Sequence, residues 1–450
     1  PNSIESYSAL ACIAVQANQN EMHGGQSIPH FDYAMEEGVN KSYRKALKSL
    51  IEYSFSFKEI DLPEDMDQLI EGVTFVEEEE EKELLLELEE MGLSEVQRLS
   101  LLRQARKMIE KETLQAMPAL IHNLNTMNSR AGAQVPFSSI NYGTCTSPAG
   151  RLVMKSLLEA TWDGLGGGET PIFPVQIFKV KEGINYNEAD PNYDLFRHAL
   201  KVSAKRLFPN FSFLDAPFNL AYYKEGEYNS EVAYMGCRTR VMGNVVDPSK
   251  EVTCGRGNLS FTSINLPRLA IDARGDLEKF YEELEDTMEL VFRQLLHRVS
   301  IQEKKKVKNY PFLMGQGVWI DSGELNQEEE IAEVLRHGTL SIGFIGLAET
   351  LVALRGKHHG ESKESQGLGL EIVGFMRKKC DEMSKRENRN VTLLATPAEG
   401  LSGRFVRLDK KKYGELPGIT DQDFYTNSFH VPVYYPISAF EKIEKEAPYH

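Results

Sequence analysis

The stretch Met235-Gly236-Cys237-Arg238 sets one thiol in a short loop between two apolar runs, with a thioether two residues before it. Glycine permits the sharp turn and the close approach of a substrate that a working thiol needs. Cys237 is therefore a candidate radical or nucleophilic site, although taken alone it reads more readily as a buried structural cysteine. Asn258 follows in Gly255-Arg256-Gly257-Asn258. Its amide offers both donors and an acceptor to a hydroxyl or a carboxylate, although by itself it is also an ordinary turn residue after glycine. Further on, Thr396-Pro397-Ala398-Glu399-Gly400-Leu401 reads as a strand end turning into a helix, with proline near the first helical position. Backbone N–H groups at such a helix start can hold phosphate, and a plain capped turn is the alternative. Gly164-Leu165-Gly166-Gly167-Gly168-Glu169-Thr170 lacks the lysine that a phosphate-binding P-loop places before its Ser/Thr.

These residues need elements to carry them. Tyr7 to Gln16 reads as a buried helix with Ser3 as its N-cap, stopping near His23-Gly24-Gly25. Residues 31–60 read as helical, and 77–81 form an acidic surface tract. In 94–127 the apolar residues Val96, Leu99, Leu102, Ala105 and Ile109 recur at helical spacing. Phe137 to Gly143 is strand-like. Further strands are expected at 173–179, 259–266, 318–320, 338–344 and 391–395, and further helices at 151–162, 277–299, 328–336, 346–355 and 365–388. Strands alternating with helices over this length indicate an α/β fold with much parallel pairing, and no linker forces a domain boundary.

Composition narrows the function. A net charge of −16 argues against a nucleic-acid surface, which needs clustered Lys and Arg, but leaves room for a nucleotide held by a few local donors. Neither a bilayer-spanning apolar run nor a basic-apolar signal segment is found, so a cytoplasmic protein with no membrane partner is expected. Cys12, Cys145, Cys237, Cys254 and Cys380 are odd in number and irregularly spaced, which suits reduced thiols, and no CxxC pair proposes a zinc site. His358-His359, in a Lys- and Gly-rich stretch, reads as a solvated loop.

The loop around Cys237 and Asn258 resembles the finger loop of anaerobic (oxygen-sensitive, glycyl-radical) ribonucleoside-triphosphate reductases. The likeness continues in Ser129 to Gly143, Glu169 to Pro174, Gly257 to Arg268, Ser341 to Glu349 and Thr396 to Phe405, in family order along most of the chain. It implies a ten-stranded α/β barrel of the ribonucleotide reductase and glycyl radical enzyme type with a central finger loop, here as a single domain over 1–450. It implies that Cys237 carries a thiyl radical and that Asn258 holds a ribose hydroxyl or formate. Met235 would lie against the thiol, Thr396, Pro397, Ala398, Glu399 and Gly400 would hold the substrate triphosphate, and Ser138 and Ser139 would form another pocket wall.

The resemblance further implies ribonucleoside triphosphates as substrates, formate as reductant and ATP and deoxynucleotides as effectors. A homodimer and a radical S-adenosylmethionine activating enzyme complete the expected partners. The family's glycyl radical loop, beside a four-cysteine zinc site, would fall beyond His450. Its second active-site cysteine and its ATP-binding module would precede Pro1, so a catalytic barrel cut at both ends is expected. Two rivals stay open: a non-catalytic nucleotide-binding paralogue, and a glycyl radical enzyme of the formate-lyase type. The latter generally uses adjacent cysteines or a nearby catalytic glutamate, which the stretches around Cys237 and Asn258 do not offer.

Overall fold

Helix α1 (Ile4–Glu21) starts at the expected cap, where the Ser3 hydroxyl accepts from the Ser6 N–H and the Ser6 hydroxyl accepts from the Ser3 N–H. The computed structural model describes residues 1–22, 24–56, 66–75, 82–128, 134–236 and 239–450. The predicted acidic tract at 77–81 and part of the Ser129 to Gly143 block lie outside them. The chain divides into two units, Pro1–Arg240 and Val241–His450.

In the first unit α1 is followed by β1 (Gln26–Ile28), α2 (Phe31–Ser56), α3 (Met66–Gly72), α4 (Lys82–Glu90), α5 (Glu95–Thr126) and β2 (Ser138–Tyr142). Then come α6 (Pro148–Asp163), β3 (Val175–Val180), α7 (Tyr193–Arg206), β4 (Asn210–Phe213), α8 (Pro217–Leu220) and a small hairpin, β5 (Tyr234–Met235) and β6 (Thr239–Arg240). Strands β1 to β4 form one parallel sheet in sequence order. Side chains alternate across a strand, so the register sorts them onto two faces. Ile140 and Tyr142 of β2 and Phe178 and Val180 of β3 join the apolar core built on α2, α5 and α6. The register aligns Ser27 with Ser139, Asn141 with Ile177, and Lys179 with Ser212, which gathers serine, asparagine and lysine on the opposite face. A parallel sheet usually buries apolar residues on both sides, so this polar face is informative.

The second unit runs β7 (Asn258–Asn265), α9 (Leu266–Ala273), α10 (Leu277–Gln302), α11 (Ala332–Leu335), β8 (Thr339–Ile345), α12 (Leu347–Arg355), α13 (Lys363–Glu387), β9 (Asn390–Ala395), α14 (Glu399–Tyr413) and α15 (Ala439–Glu446). Strands β7, β8 and β9 form a parallel sheet with β8, fully buried, in the centre. Its register places Ser263 beside Gly343, and Ser341 beside Thr392. One face again carries hydroxyls, paired as Ser341 with Thr392 at 3.2 Å and Ser263 with Thr396 at 2.7 Å. The other meets α10, where Gln294 accepts from Thr262 and Arg298 donates to Ser260.

Three expectations are corrected. Residues 318–320 are not a strand: the Trp319 N–H bonds Leu313 O, its indole bonds Val334 O, and the run folds into turns. Residues 328–336 are helical only over Ala332–Leu335, because the preceding residues pair with 305–308 instead. Ile331 N–H bonds Lys305 O, and Lys306 and Lys308 both reach Glu328. His358 and His359 are buried rather than solvated; Tyr435 packs on His358 and Tyr449 on His359. Helices α3, α7, α8, α9 and α15 and strands β1, β4, β5 and β6 are additional to the predicted elements.

Candidate active site

The hairpin β5–β6 carries Met235 and Gly236 on its first limb; Cys237 and Arg238, which follow in sequence, lie outside the described residues. What the structure describes is how that first limb is held. The Asn141 amide bonds both sides of the Tyr234 backbone, donating to its carbonyl at 2.8 Å and accepting from its N–H at 2.8 Å. The Ser27 hydroxyl donates to the same carbonyl at 2.8 Å, and the Ser139 hydroxyl accepts from the Gly236 N–H at 3.0 Å. All three side chains come from the polar sheet face, so β1 and β2 read the loop backbone directly. Gly236 has a φ of 63°, and an added Cβ would stand 3.2 Å from the Phe137 ring. Met235 lies near Gly25, whose added Cβ would be 3.4 Å from the thioether chain.

Ser138 and Ser139 separate by alternation. Ser139 shares the hairpin's face, whereas Ser138 has the parity of Ile140 and Tyr142 and is fully buried on the helix side. Beneath the hairpin lies a cluster that sequence reasoning missed: Lys179 Nζ is 3.0 Å from Glu231 Oε2 and 2.8 Å from His30 Nδ1, and Thr144 donates to Glu231 at 2.8 Å. A lone lysine inside an apolar strand was its sequence signal. Burial, aided by the Lys179 ammonium, pushes the His30 imidazole down to about 2, which keeps it neutral. Nearby, Asp32 accepts from the Gly143 and Cys145 N–H groups. Burial and Asp32 push the Cys145 thiol up to about 12, and burial pushes Cys12 to about 11 and Cys380 to about 12. These thiols stay protonated and inert.

Asn258 opens β7 in the second unit, and its side-chain Oδ1 is buried with no hydrogen-bond partner. Such an atom is costly unless something binds there. Its approach is rigid. Gly255, at φ 68°, leaves a Cβ only 3.1 Å from Ile320 N and Val318 O. The Arg256 guanidinium donates to the carbonyls of Met242, Gly243, Val252 and His337 at 2.8–3.1 Å, and burial lowers it to about 10. Arg256 thus stitches the loop before Asn258 rather than facing a ligand. Cys254 is half-buried.

In the loop after β9, Thr396 is buried, its hydroxyl on Ser263 and its carbonyl accepting from Ser428. Ala398 donates its N–H to Asn427, and as the N-cap of α14 it supplies no side-chain bond. Pro397 stands one residue before that cap, not at the first helical position. Glu399 and Gly400, exposed, begin the helix with first-turn N–H groups that could take an anion. No helix among the described residues is long and apolar enough to cross a membrane.

Comparisons with known proteins agree with one another. The family model described as anaerobic ribonucleoside-triphosphate reductase matches residues 1–450. The enzyme of that name from Salmonella typhimurium is 29% identical over 453 residues, covering 100% of this chain and 56% of its own length. The phage T4 enzyme is 34% identical over 356 residues, covering 78% of this chain and 56% of its own length. The chain therefore spans about half the length of the curated relatives it matches. Among solved structures, the Thermotoga maritima anaerobic ribonucleotide reductase with citrate in its active site superposes with a TM-score of 0.60 at 14% identity, covering 99% of this chain and 67% of that one. The same enzyme in complex with dATP and CTP gives 0.57 at 15% identity, covering 99% and 62%. At that identity the likeness is one of fold.

Proposed function

Because the chain belongs to the anaerobic ribonucleoside-triphosphate reductase family, we propose that it supplies the thiol-bearing part of an enzyme that converts ribonucleoside triphosphates to 2′-deoxyribonucleoside triphosphates. The intact enzyme would have the ten-stranded α/β barrel with a finger loop. Cys237, as thiyl, takes the ribose 3′-hydrogen. The 2′-hydroxyl then leaves as water with a proton drawn from solvent, formate gives two electrons and its hydrogen to replace it at C2′ and departs as carbon dioxide, and the thiol returns a hydrogen to C3′. The family's radical chemistry supplies the thiyl from a glycyl radical outside these residues. Zinc, the radical S-adenosylmethionine activating enzyme, a homodimer, and ATP and deoxynucleotide effectors belong to the same proposal for the intact protein.

The single observation that supports this reading most is the hydrogen-bonded seat of the hairpin. Asn141, Ser27 and Ser139 bond the backbone of Tyr234 and Gly236, the residues leading to Cys237. A hydrogen-abstracting atom must be held to within a fraction of an ångström, and an inert cysteine needs no such seat. Met235 excludes water from the thiol. The unpartnered Asn258 Oδ1 is suited to accept from a ribose hydroxyl or from formic acid. In the Thr396–Gly400 loop the first-turn N–H groups of Glu399 and Gly400 hold the triphosphate, Pro397 and Ala398 shape the turn, and Thr396 works as a buried strut. Ser139 serves as a loop clamp rather than a pocket wall.

Single-turnover deoxynucleotide formation by the intact, anaerobically activated gene product tests these roles. Cys237→Ala abolishes it with nucleotide affinity within a few-fold, and Asn258→Ala slows it by about 10²-fold, as for the loss of one preorganised polar group. Residual reduction above background in the first variant would remove the thiyl role. A wild-type rate in the second would make Asn258 a turn residue.

A further inference from the structure

We propose that Lys179 and Glu231 are a buried positioning pair that fixes the base of the hairpin bearing Cys237; as a role in catalysis this rests on the reductase reading above. Glu231 precedes Tyr234 by three residues, and the two between, Val232 and Ala233, are themselves buried, so little slack separates the carboxylate from β5. Its Oε2 accepts from Lys179 Nζ at 3.0 Å and from the Thr144 hydroxyl at 2.8 Å. Lys179 also reaches His30 Nδ1 at 2.8 Å. An ammonium has donors only, so this contact requires an unprotonated Nδ1 and places the His30 proton on Nε2.

The three partners come from three neighbouring strands. His30 follows β1, Thr144 follows β2 and Lys179 lies in β3. Glu231 is thereby held by Lys179 and Thr144, with His30 bracing Lys179, as Tyr234 and Gly236 are held by Asn141, Ser27 and Ser139. The lysine backbone is locked too: the Asn185 amide bonds both Lys179 O at 2.8 Å and Gly143 O at 3.0 Å. Gly143 sits so close that an added Cβ would stand 2.6 Å from Lys179 O. Residues 231–236 are therefore held at two points, one charged and one neutral.

Stability alone does not account for the charge. The side chains of Lys179 and Glu231 are 1% and 4% exposed, and removing two charges from water is costly enough that an apolar pair of similar volume often serves the fold equally well. What the ion pair adds is direction, through short charge-assisted hydrogen bonds that admit few geometries. Tyr33, whose ring stacks on Tyr228 at 4.2 Å, and Tyr228, edge-on to His30 at 5.3 Å, close the cluster.

The test is peptide-resolved labelling of Cys237 by iodoacetamide in the intact gene product, beside kcat and KM for ribonucleotide reduction. The double substitution Lys179→Met with Glu231→Met keeps volume and removes the charges. It is expected to label Cys237 about tenfold faster and to lower kcat about tenfold or more, with KM within about threefold, as a displaced reacting atom requires. Labelling of Cys254 stays constant. Thr144→Val, which deletes the bond to Glu231 and the hydroxyl contact with Tyr33, moves labelling in the same direction by about threefold, the order expected for one weakened hydrogen bond. A folded double variant with wild-type labelling and kcat would overturn the proposal; if the double variant does not fold, unchanged labelling in Thr144→Val overturns it. Should the wild-type protein fail to reduce nucleotides while the labelling still rises, the reductase reading falls and the positioning pair stands.

Discussion

Replacing Gly343 by alanine tests how the candidate phosphate loop is supported. Gly343 lies in the central strand β8, and a Cβ there would stand 2.0 Å from Thr396 Oγ1 and 2.8 Å from Ser263 Oγ. Ordinary contact needs well over 3 Å, so the strands or the hydroxyl pair must part by more than an ångström. Over-packing of this kind costs about 1–3 kcal/mol, and breaking the 2.7 Å Ser263–Thr396 bond adds about 1 kcal/mol, so Gly343→Ala should lose roughly 2–4 kcal/mol. Thr396→Ala alone forfeits the hydrogen bond, about 1 kcal/mol. It also deletes the atom at 2.0 Å, after which the next neighbours are Ser263 Oγ at 2.8 Å and the residue-396 Cβ at 3.4 Å. The alanine at 343 should then cost only about 1 kcal/mol more, a coupling of roughly 1–3 kcal/mol between the sites. Urea unfolding followed by tryptophan fluorescence measures it. In a Trp162→Phe background the buried Trp319 is the reporter, and it belongs to the same unit as Gly343. Additivity of the two changes within about 0.5 kcal/mol would refute the packing argument.

Asp409, fully buried on α14, accepts from Arg268 Nε at 2.6 Å, Asn265 at 2.7 Å and Tyr425 at 2.8 Å. Asp409→Ala strands all three donors and should cost about 3 kcal/mol, since Arg268 can rehydrate; this is a fall of roughly 6–12 °C in Tm by calorimetry. His359 gives a pH dependence. Burial, then the neighbouring His358, lowers it from 6.5 to about 4. The unfolded chain therefore binds a proton that the folded one refuses. Stability is full above about pH 6.5 and falls by about 3 kcal/mol on descending to about pH 4, with no further loss from this group below. His359→Phe should flatten that part of a urea-midpoint-versus-pH curve, and an unchanged slope would exclude His359 as its source.

Much of the frame is legible because it is written locally. Ser3 caps α1 as expected, α5 begins where the helical spacing does, with Ser94 as its cap, and the stripe Leu284, Met288, Val291 and Leu295 is the buried side of α10. Helix α7 offered the same kind of signal in Leu195, Ala199 and Val202. The burial of His358 and His359 is not local: aromatic rings from 429–449 cover them, and nothing beside them in sequence reports it. The failed strand at 318–320 has the same cause, as Trp319 answers to Leu313 and Val334 rather than to a neighbouring strand. At the site, residue types singled out Cys237 and Asn258. The residues that seat the hairpin escape such reading, because Asn141 and Ser27 bond the Tyr234 backbone and Lys179 bonds the Glu231 carboxylate some 50–200 residues away, a pairing that only the sheet register reveals. Ser138 and Ser139 make the converse point: adjacent and alike in sequence, they fall on opposite faces because a strand alternates.

Release of labelled carbon dioxide from formate, by the intact and anaerobically activated gene product, tests the central claim most directly. Release that depends on an added ribonucleoside triphosphate, in a one-to-one ratio with deoxynucleotide formed, is the predicted result. Deoxynucleotide formation without carbon dioxide would contradict formate as reductant, and neither product, with the radical present, would contradict the reductase itself.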